Sequence, residues 1–318
     1  MPDTGNTIYD VAIIGAGPAG LTASIYASRY KLSNIVFGKQ IGGTIIDAHK
    51  VCNYPGMPDI CGLDLGANMF EQAKMLGGEH KGEHIVDIKK ESGNFNLVSD
   101  KGSRYQSKTV ILALGTNRNK LNIPNEDYYL GKGLSYCATC DAMFYKGKTV
   151  AIIGGSNAAT MSASMLSDIA KKIYIIYRGT ELRGDQVWVD EVKSKENIEI
   201  IYTTIVTGIE GENRVERIKL SKPFRNSEFL PVDGVFVEIG SEPNIDLSKK
   251  LSLELDDKGY IKVSKDQSTN IEGVWAAGDC TDGSNGFRQV VTACGEGAVC
   301  ANSIYSYIKG SNKPTNVY

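Results

Sequence analysis

At 318 residues, 42% hydrophobic and 23% charged, the chain is long enough for two domains and can bury a full core without disulfide staples. Thirty-five Lys and Arg against 37 Asp and Glu leave a net charge of −2, which offers no bulk attraction for nucleic acid or an anionic membrane. The opening Met1-Pro-Asp-Thr-Gly has neither the basic nor the apolar segment of a leader, and no apolar run approaches the ~18 residues of a membrane span, so a soluble cytoplasmic protein is expected.

The first legible element is Val11-Ala-Ile-Ile-Gly15, an all-apolar run of the kind that forms a strand buried in a parallel sheet. It enters Gly15-Ala-Gly17-Pro-Ala-Gly20, then a helix expected over 18–30 and a strand over 34–37. In that context G-x-G-x-x-G reads as a dinucleotide loop. Gly15 permits the tight turn, Gly17 lets backbone approach a pyrophosphate, and Gly20 allows close helix–strand packing. The helix N-terminus adds N–H groups and a positive dipole end. The acidic residue that commonly grips a ribose is replaced by Gly38-Lys39, which leaves the ribose to other contacts, Gly42-Gly43-Thr44 among them.

Further along, His80-Lys-Gly-Glu83-His84 fits the metal pattern H-x-x-E-H. Gly77, Gly78 and Gly82 break the helix that would stack the two histidines, so a loop entering a strand is expected, with no metal. Residues Thr109 to Gly115 read as another buried strand, and the polar stretch 117–124 as a crossing into a second domain. Cys137-Ala-Thr-Cys140 follows. Beside nucleotide-binding units, C-x-x-C reads as a redox dithiol that exchanges with a partner disulfide through a mixed disulfide. Asp141, adjacent, is the candidate general acid–base. A zinc site would need two more ligands, and no second C-x-x-C exists. Cys52, Cys61, Cys280, Cys294 and Cys300 read as small, mostly buried thiols.

The opening motif then recurs. Val150-Ala-Ile-Ile-Gly154 copies residues 11–15 letter for letter, with a helix expected over 157–170 and a strand over 172–176. Its loop is altered: in Gly154-Gly155-Ser156-Asn157-Ala158-Ala159, Ser156 holds the position of closest backbone approach to pyrophosphate. Arg178, after the strand, is suited to a 2′-phosphate. Strand-like runs at 235–240 and 274–278, the turn Gly278-Asp279 and a helix over 289–308 complete the chain. The expected class is α/β, with one nucleotide-binding unit inserted into another.

Together, Gly15 to Gly20, Gly42-Gly43, Asn53-Tyr-Pro-Gly56, Ala113-Leu-Gly115, Cys137 to Asp141, Gly278-Asp279 and Arg288-Gln289 resemble the low-molecular-weight thioredoxin reductases nearly end to end. The resemblance implies two nested Rossmann-like domains: an FAD-binding domain at 1–117 and 246–318, and an inserted NAD(P)H-type domain at 118–245 carrying the cysteines. FAD is then expected against Gly15, Gly17, Pro18, Ala19 and Gly20 of the first loop, and against Phe37, Gly38, Lys39, Gly42, Gly43 and Thr44 after the second strand. Asn53, Ile85, Ala113, Gly115 and Thr116 are expected to contribute from the middle, and Gly278, Asp279, Arg288, Gln289 and Val290 from the C-terminal part. The resemblance further implies that Cys140 faces the flavin, that Cys137 attacks a thioredoxin disulfide, that Asp141 donates the proton, and that the enzyme is a homodimer. Some branches of the family draw electrons from ferredoxin.

Departures gather in the NADPH half. The family's Gly-Gly-Gly is Gly154-Gly155-Ser156, and its His-Arg-Arg-x-x-x-Arg clamp reads Tyr177-Arg178-Gly179-Thr-Glu-Leu-Arg183. Its acidic residues are replaced by Met161 and Ser162. A weak NADPH site at Gly154, Gly155, Ser156, Asn157, Arg178 and Arg183, or none, is therefore expected. The alternatives to a thioredoxin reductase are an FAD-dependent dithiol oxidase that uses dioxygen and a flavin redox sensor without turnover.

Overall fold

The duplicated strand sits at the centre of each of two units. In the computed structural model, residues 7–310 are described; the opening residues read above for a leader lie outside them. One unit comprises Met1–Asn117 and Glu242–Tyr318, the other Arg118–Ser241.

In chain order the first part of unit one contains β1 (Ile8–Ile14), α1 (Pro18–Arg29), β2 (Asn34–Phe37), α2 (Gly62–Met75), β3 (Glu79–Lys81), β4 (Ile85–Glu91), β5 (Asn94–Ser99) and β6 (Arg104–Leu112). Then come β7 (Thr116–Arg118) and, in unit two, α3 (Glu126–Tyr129), β8 (Leu134–Ser135), α4 (Ala138–Asp141), β9 (Thr149–Ile153), α5 (Asn157–Ser167) and β10 (Lys172–Ile176). That unit continues with α6 (Gln186–Ser194), β11 (Ile198–Ile201), β12 (Val206–Glu210), β13 (Arg217–Phe224), β14 (Ser227–Pro231) and β15 (Gly234–Val237). The return, β16 (Ser241–Pro243), pairs with β7, and α7 (Asp246–Lys250), β17 (Val274–Ala276) and α8 (Val290–Ile308) complete unit one. Helix α5 stops at Ser167, three residues short of the expected end, because Asp168 to Ala170 turn back toward β10.

Unit one is built on a sheet of order β3-β2-β1-β6-β5-β4, with β17 parallel to the end of β6. Unit two has a five-stranded sheet of order β11-β10-β9-β15-β8, parallel throughout, plus an antiparallel sheet β12-β13-β14. The order third-second-first around β1 and around β9 is that of a Rossmann unit, so both units have the expected α/β class.

The repeat owes its apolar letters to two-sided burial. Val11 and Ile13 pack on the face carrying α1 and α8, while Ala12 and Ile14 pack with Phe37, Leu97 and Leu112 on the other. Val150 and Ile152 likewise join Ala159 and Ala163 of α5, and Ala151 and Ile153 join Ile209 and Ile218 of the antiparallel sheet. Successive side chains point to opposite faces, so only a fully apolar strand satisfies both. Each such large side chain contributes about 1.5–3 kcal/mol by burial. Helices α1 and α8 meet through small residues: a Cβ on Gly297 would lie 2.1 Å from the Ala19 carbonyl oxygen. That close approach fixes the N-terminus of α1, where the first loop ends.

Among the five other cysteines the expectation of burial holds for Cys280, Cys294 and Cys300 and fails for two. Cys52 is exposed and Cys61 half-buried, because the segment preceding α2 runs along the surface. No helix among the described residues is long and apolar enough to cross a membrane.

Candidate active site

The first loop divides its three glycines by task. Gly15 has φ +123°, and a Cβ there would fall 1.9 Å from the Ala113 carbonyl oxygen; one on Gly20 would fall 1.9 Å from the Gly15 carbonyl oxygen. Both are demanded by the protein's own packing. Gly17 is not, since its Cβ would meet nothing closer than 3.8 Å and its φ of −84° suits any residue. A glycine that the fold does not require, at the N-cap of a helix whose first-turn N–H groups lack intrahelical partners, is what close approach of a phosphate requires.

Gly17 opens on a cleft of about 1110 Å³ within unit one. Of the residues proposed from the sequence, Gly15, Gly17, Pro18, Ala19, Phe37, Gly38, Lys39, Gly43, Thr44, Ile85, Ala113, Gly115, Thr116, Gly278, Asp279, Arg288, Gln289 and Val290 line it. Gly20, Gly42 and Asn53 do not. Gly20 serves helix packing, Gly42 turns the chain at φ +90° with its N–H donating to the Ala16 carbonyl at 2.8 Å, and Asn53 Nδ2 donates to Gln289 Oε1 at 3.0 Å. Asn244, Lys249 and Lys250 line the cleft without a sequence signal, because tertiary folding alone brings these loop and α7 residues to it, and His84, read above only within the metal pattern, lines it too.

The turn Gly278-Asp279 is held from beneath by Glu296, a buried carboxylate on α8 that no motif marked. Its Oε2 accepts the Gly278 N–H at 2.7 Å and the Thr281 hydroxyl at 3.3 Å, and its Oε1 accepts the Ser284 hydroxyl at 2.6 Å. Burial pushes the Asp279 carboxyl above its ordinary range; the Arg288 guanidinium opposes this and Glu296 adds to it. Arg288 donates from Nε to the Asp279 carbonyl at 3.3 Å and lies 3.8 Å from the Tyr260 ring centroid. A long cleft with a helix N-terminus, an open glycine and a pinned Gly-Asp turn fits FAD.

In unit two, Cys137 and Cys140 form a disulfide with a Cα–Cα distance of 5.3 Å. Cys137 caps α4, and its Sγ accepts the Cys140 N–H at 3.2 Å. Buried Ser135 fixes the entry: its Oγ accepts the Cys137 N–H at 3.0 Å and donates to the Cys137 carbonyl at 3.2 Å. Asp141 follows on the same turn, half-buried, its N–H donating to the Cys137 carbonyl at 3.3 Å. Such an arrangement closes and opens a small ring.

The second loop reproduces the turn of the first. Gly154 has φ +145°, and its Cβ would lie 2.1 Å from the Glu238 carbonyl oxygen. Ser156 then stands exposed at the N-cap of α5, making no side-chain capping bond. Arg178 and Arg183 are exposed, and Asn157 Oδ1 accepts the Asp185 N–H at 2.5 Å. Ser162 donates to Glu238 Oε1 at 3.0 Å, so an acid at 162 would confront a second carboxylate.

The histidines of H-x-x-E-H part company. His80 lies within strand β3 rather than in a loop, with Nε2 2.8 Å from the Gly38 carbonyl and its ring edge-on to Phe70. Glu83 is buried and accepts the Tyr105 hydroxyl at 3.2 Å. Neither histidine belongs to a metal-ligating group among the described residues.

Residues 9–297 match the model of the pyridine nucleotide-disulphide oxidoreductases. The thioredoxin reductase of Mycoplasma genitalium is 38% identical over 292 residues, covering 91% of this chain and 92% of that one. The crystal structure of the thioredoxin reductase of T. acidophilum superposes with a TM-score of 0.89 at 34% identity, covering 96% of this chain and all of the other (100%). A ferredoxin-flavin thioredoxin reductase from Clostridium acetobutylicum matches at a TM-score of 0.53 and 33% identity, covering 96% and 99% of the two chains. With an FAD-fitting cleft and a C-x-x-C disulfide in two Rossmann-like units, the chain belongs to the pyridine nucleotide-disulphide oxidoreductase family and is a flavoprotein oxidoreductase of the thioredoxin reductase type.

Proposed function

We propose that the chain, as a homodimeric flavoprotein, reduces the disulfide of thioredoxin or a thioredoxin-like protein with its Cys137–Cys140 dithiol, and that neither NADPH nor NADH is its efficient donor. The observation that carries the first half is the Cys137–Cys140 disulfide itself, formed on a turn that includes Asp141.

FAD, when bound, supplies a carrier that accepts and releases two electrons. The Gly15–Gly20 loop and the Gly278-Asp279 turn would hold it. The chain's own chemistry begins with the reduced pair. Cys137 thiolate attacks the partner disulfide, forming a mixed disulfide and releasing one partner thiolate. Cys140 thiolate then attacks Cys137 Sγ, restoring the Cys137–Cys140 bond and releasing the second partner thiolate. The partner leaves with two electrons and two protons, and Asp141 transfers a proton at the sulfur that leaves.

The donor half is supported by the contrast between the loops: Gly17 leaves room that Ser156 occupies, and Gly179 stands where a phosphate-clamping guanidinium would be needed. A ferredoxin-type protein is the donor class this reading favours, because a ferredoxin-flavin thioredoxin reductase is among the similar structures. Stopped-flow reduction of the bound flavin by NADPH, NADH and reduced ferredoxin tests it. Fast reduction at low NADPH overturns the donor assignment. Failure of the photoreduced enzyme to reduce thioredoxin overturns the substrate assignment.

A further inference from the structure

The duplication continues past the loops, so the two can be compared position by position. Gly15 N–H donates to the Phe37 carbonyl at 2.8 Å, and Gly154 N–H to that of Ile176 at 3.0 Å. The Ala16 carbonyl accepts from Gly42 at 2.8 Å, and the Gly155 carbonyl from Arg183 at 2.6 Å. Ala16 therefore corresponds to Gly155, Gly17 to Ser156, and Gly38 to Tyr177.

The facing pair behind each loop has opposite sizes. In unit one a Cβ on Gly38 would come 2.8 Å from Ala16 Cβ, so no side chain enters, and Gly38 lines the open cleft. In unit two the glycine is on the loop and the aromatic ring on the strand end. A Cβ on Gly155 would lie 2.5–2.6 Å from Cγ, Cδ1 and Cδ2 of Tyr177. The far end of the same ring lies over Gly179, where a Cβ would be 2.5 Å from Cε1, 2.8 Å from Cζ and 3.0 Å from the hydroxyl. Two glycines thus clasp one half-buried ring along its length.

We infer that Tyr177 closes the second nucleotide site from within: its ring takes the place that Ala16 Cβ holds in unit one and runs on over Gly179, and it determines that the unit excludes the adenosine 2′-phosphate end of a pyridine nucleotide. Gly179 is then more than a missing charge. A side chain there, an arginine included, must displace the ring's far end, whose near end is backed by Gly155, so restoring the guanidinium alone does not restore the site. An imidazole lacks Cζ and the hydroxyl, two of the three ring atoms that crowd Gly179, so less of the ring has to move. This inference rests on the donor reading above and assigns its cause to one residue.

The test uses the FAD-loaded full chain as wild type, Gly179→Arg, Tyr177→His, Tyr177→Ala and the double variant Tyr177→His/Gly179→Arg. Adenosine 2′,5′-bisphosphate binding is measured by calorimetry, and flavin reduction by NADPH separately. Gly179→Arg alone stays within about threefold of wild type, while the double variant binds the bisphosphate at least about tenfold more tightly, the equivalent of ~1.4 kcal/mol. Tyr177→Ala, which needs no new side chain to fit, binds more tightly than wild type. A gain in Gly179→Arg equal to that of the double variant overturns the inference, as does unchanged binding in Tyr177→Ala. Because the bisphosphate carries no nicotinamide, flat binding across the series with slow NADPH reduction sinks this inference and spares the donor reading. Rapid NADPH reduction of the wild type sinks both.

Discussion

Replacing Gly17 with alanine should separate cofactor affinity from folding. The added Cβ meets no protein atom within 3.8 Å, and φ of −84° is comfortable for alanine. Lower entropy of the unfolded chain favours the variant by about 0.4–1 kcal/mol, and alanine's poorer N-cap preference offsets part of that. Apo-protein stability should therefore change by less than about 1 kcal/mol. FAD affinity should fall, because a methyl group now stands between the loop and the pyrophosphate and displaces at least one charge-assisted N–H contact, worth about 1.5–3 kcal/mol. That corresponds to about 10- to 100-fold in Kd. Gly20→Ala is the mirror case: its Cβ would lie 1.9 Å from the Gly15 carbonyl oxygen, a rigid neighbour, so overpacking costs about 1–3 kcal/mol or more and the apo-protein melts several degrees earlier. The assay is fluorescence titration of deflavinated protein with FAD, beside thermal melts of the same apo-proteins. Wild-type FAD affinity in Gly17→Ala, or equal loss of apo stability in the two variants, would refute the division of labour among these glycines.

The cysteines should differ in phenotype: Cys137→Ser is expected to show a long-wavelength charge-transfer band between Cys140 thiolate and oxidised flavin, and Cys140→Ser is not; absorbance spectra with equal bands would reverse or cancel the assignment. Asp141→Asn should slow dithiol–flavin exchange by about 10²–10⁴ with FAD retained, and wild-type rates in rapid mixing would remove Asp141 from proton transfer. Glu296→Ala should loosen the Gly278 turn and weaken FAD, read as faster flavin release on dialysis, because the Gly278 N–H and two hydroxyls lose their buried acceptor; unchanged release would leave Glu296 a bystander.

What the sequence by itself determined is what local pattern encodes. A run of consecutive apolar letters requires burial on both faces, so Val11–Gly15 and Val150–Gly154 announced two buried strands, each of which pairs in parallel with both neighbours. A G-x-G-x-x-G between strand and helix, and a C-x-x-C, likewise state their chemistry in adjacent residues. Tertiary structure decided what depends on distant chain segments meeting. Asn244, Lys249 and Lys250 reach the cleft only because the chain returns to unit one after more than a hundred residues elsewhere, and Glu296 finds Gly278 only because α8 packs on α1. The role of Gly17 against Gly15 and Gly20 is invisible in letters that are identical, since only neighbouring backbone tells which hydrogen has no room to become a methyl. Gly179 carries the same lesson. In the sequence it is a lost arginine; in the fold it is the floor beneath a tyrosine ring.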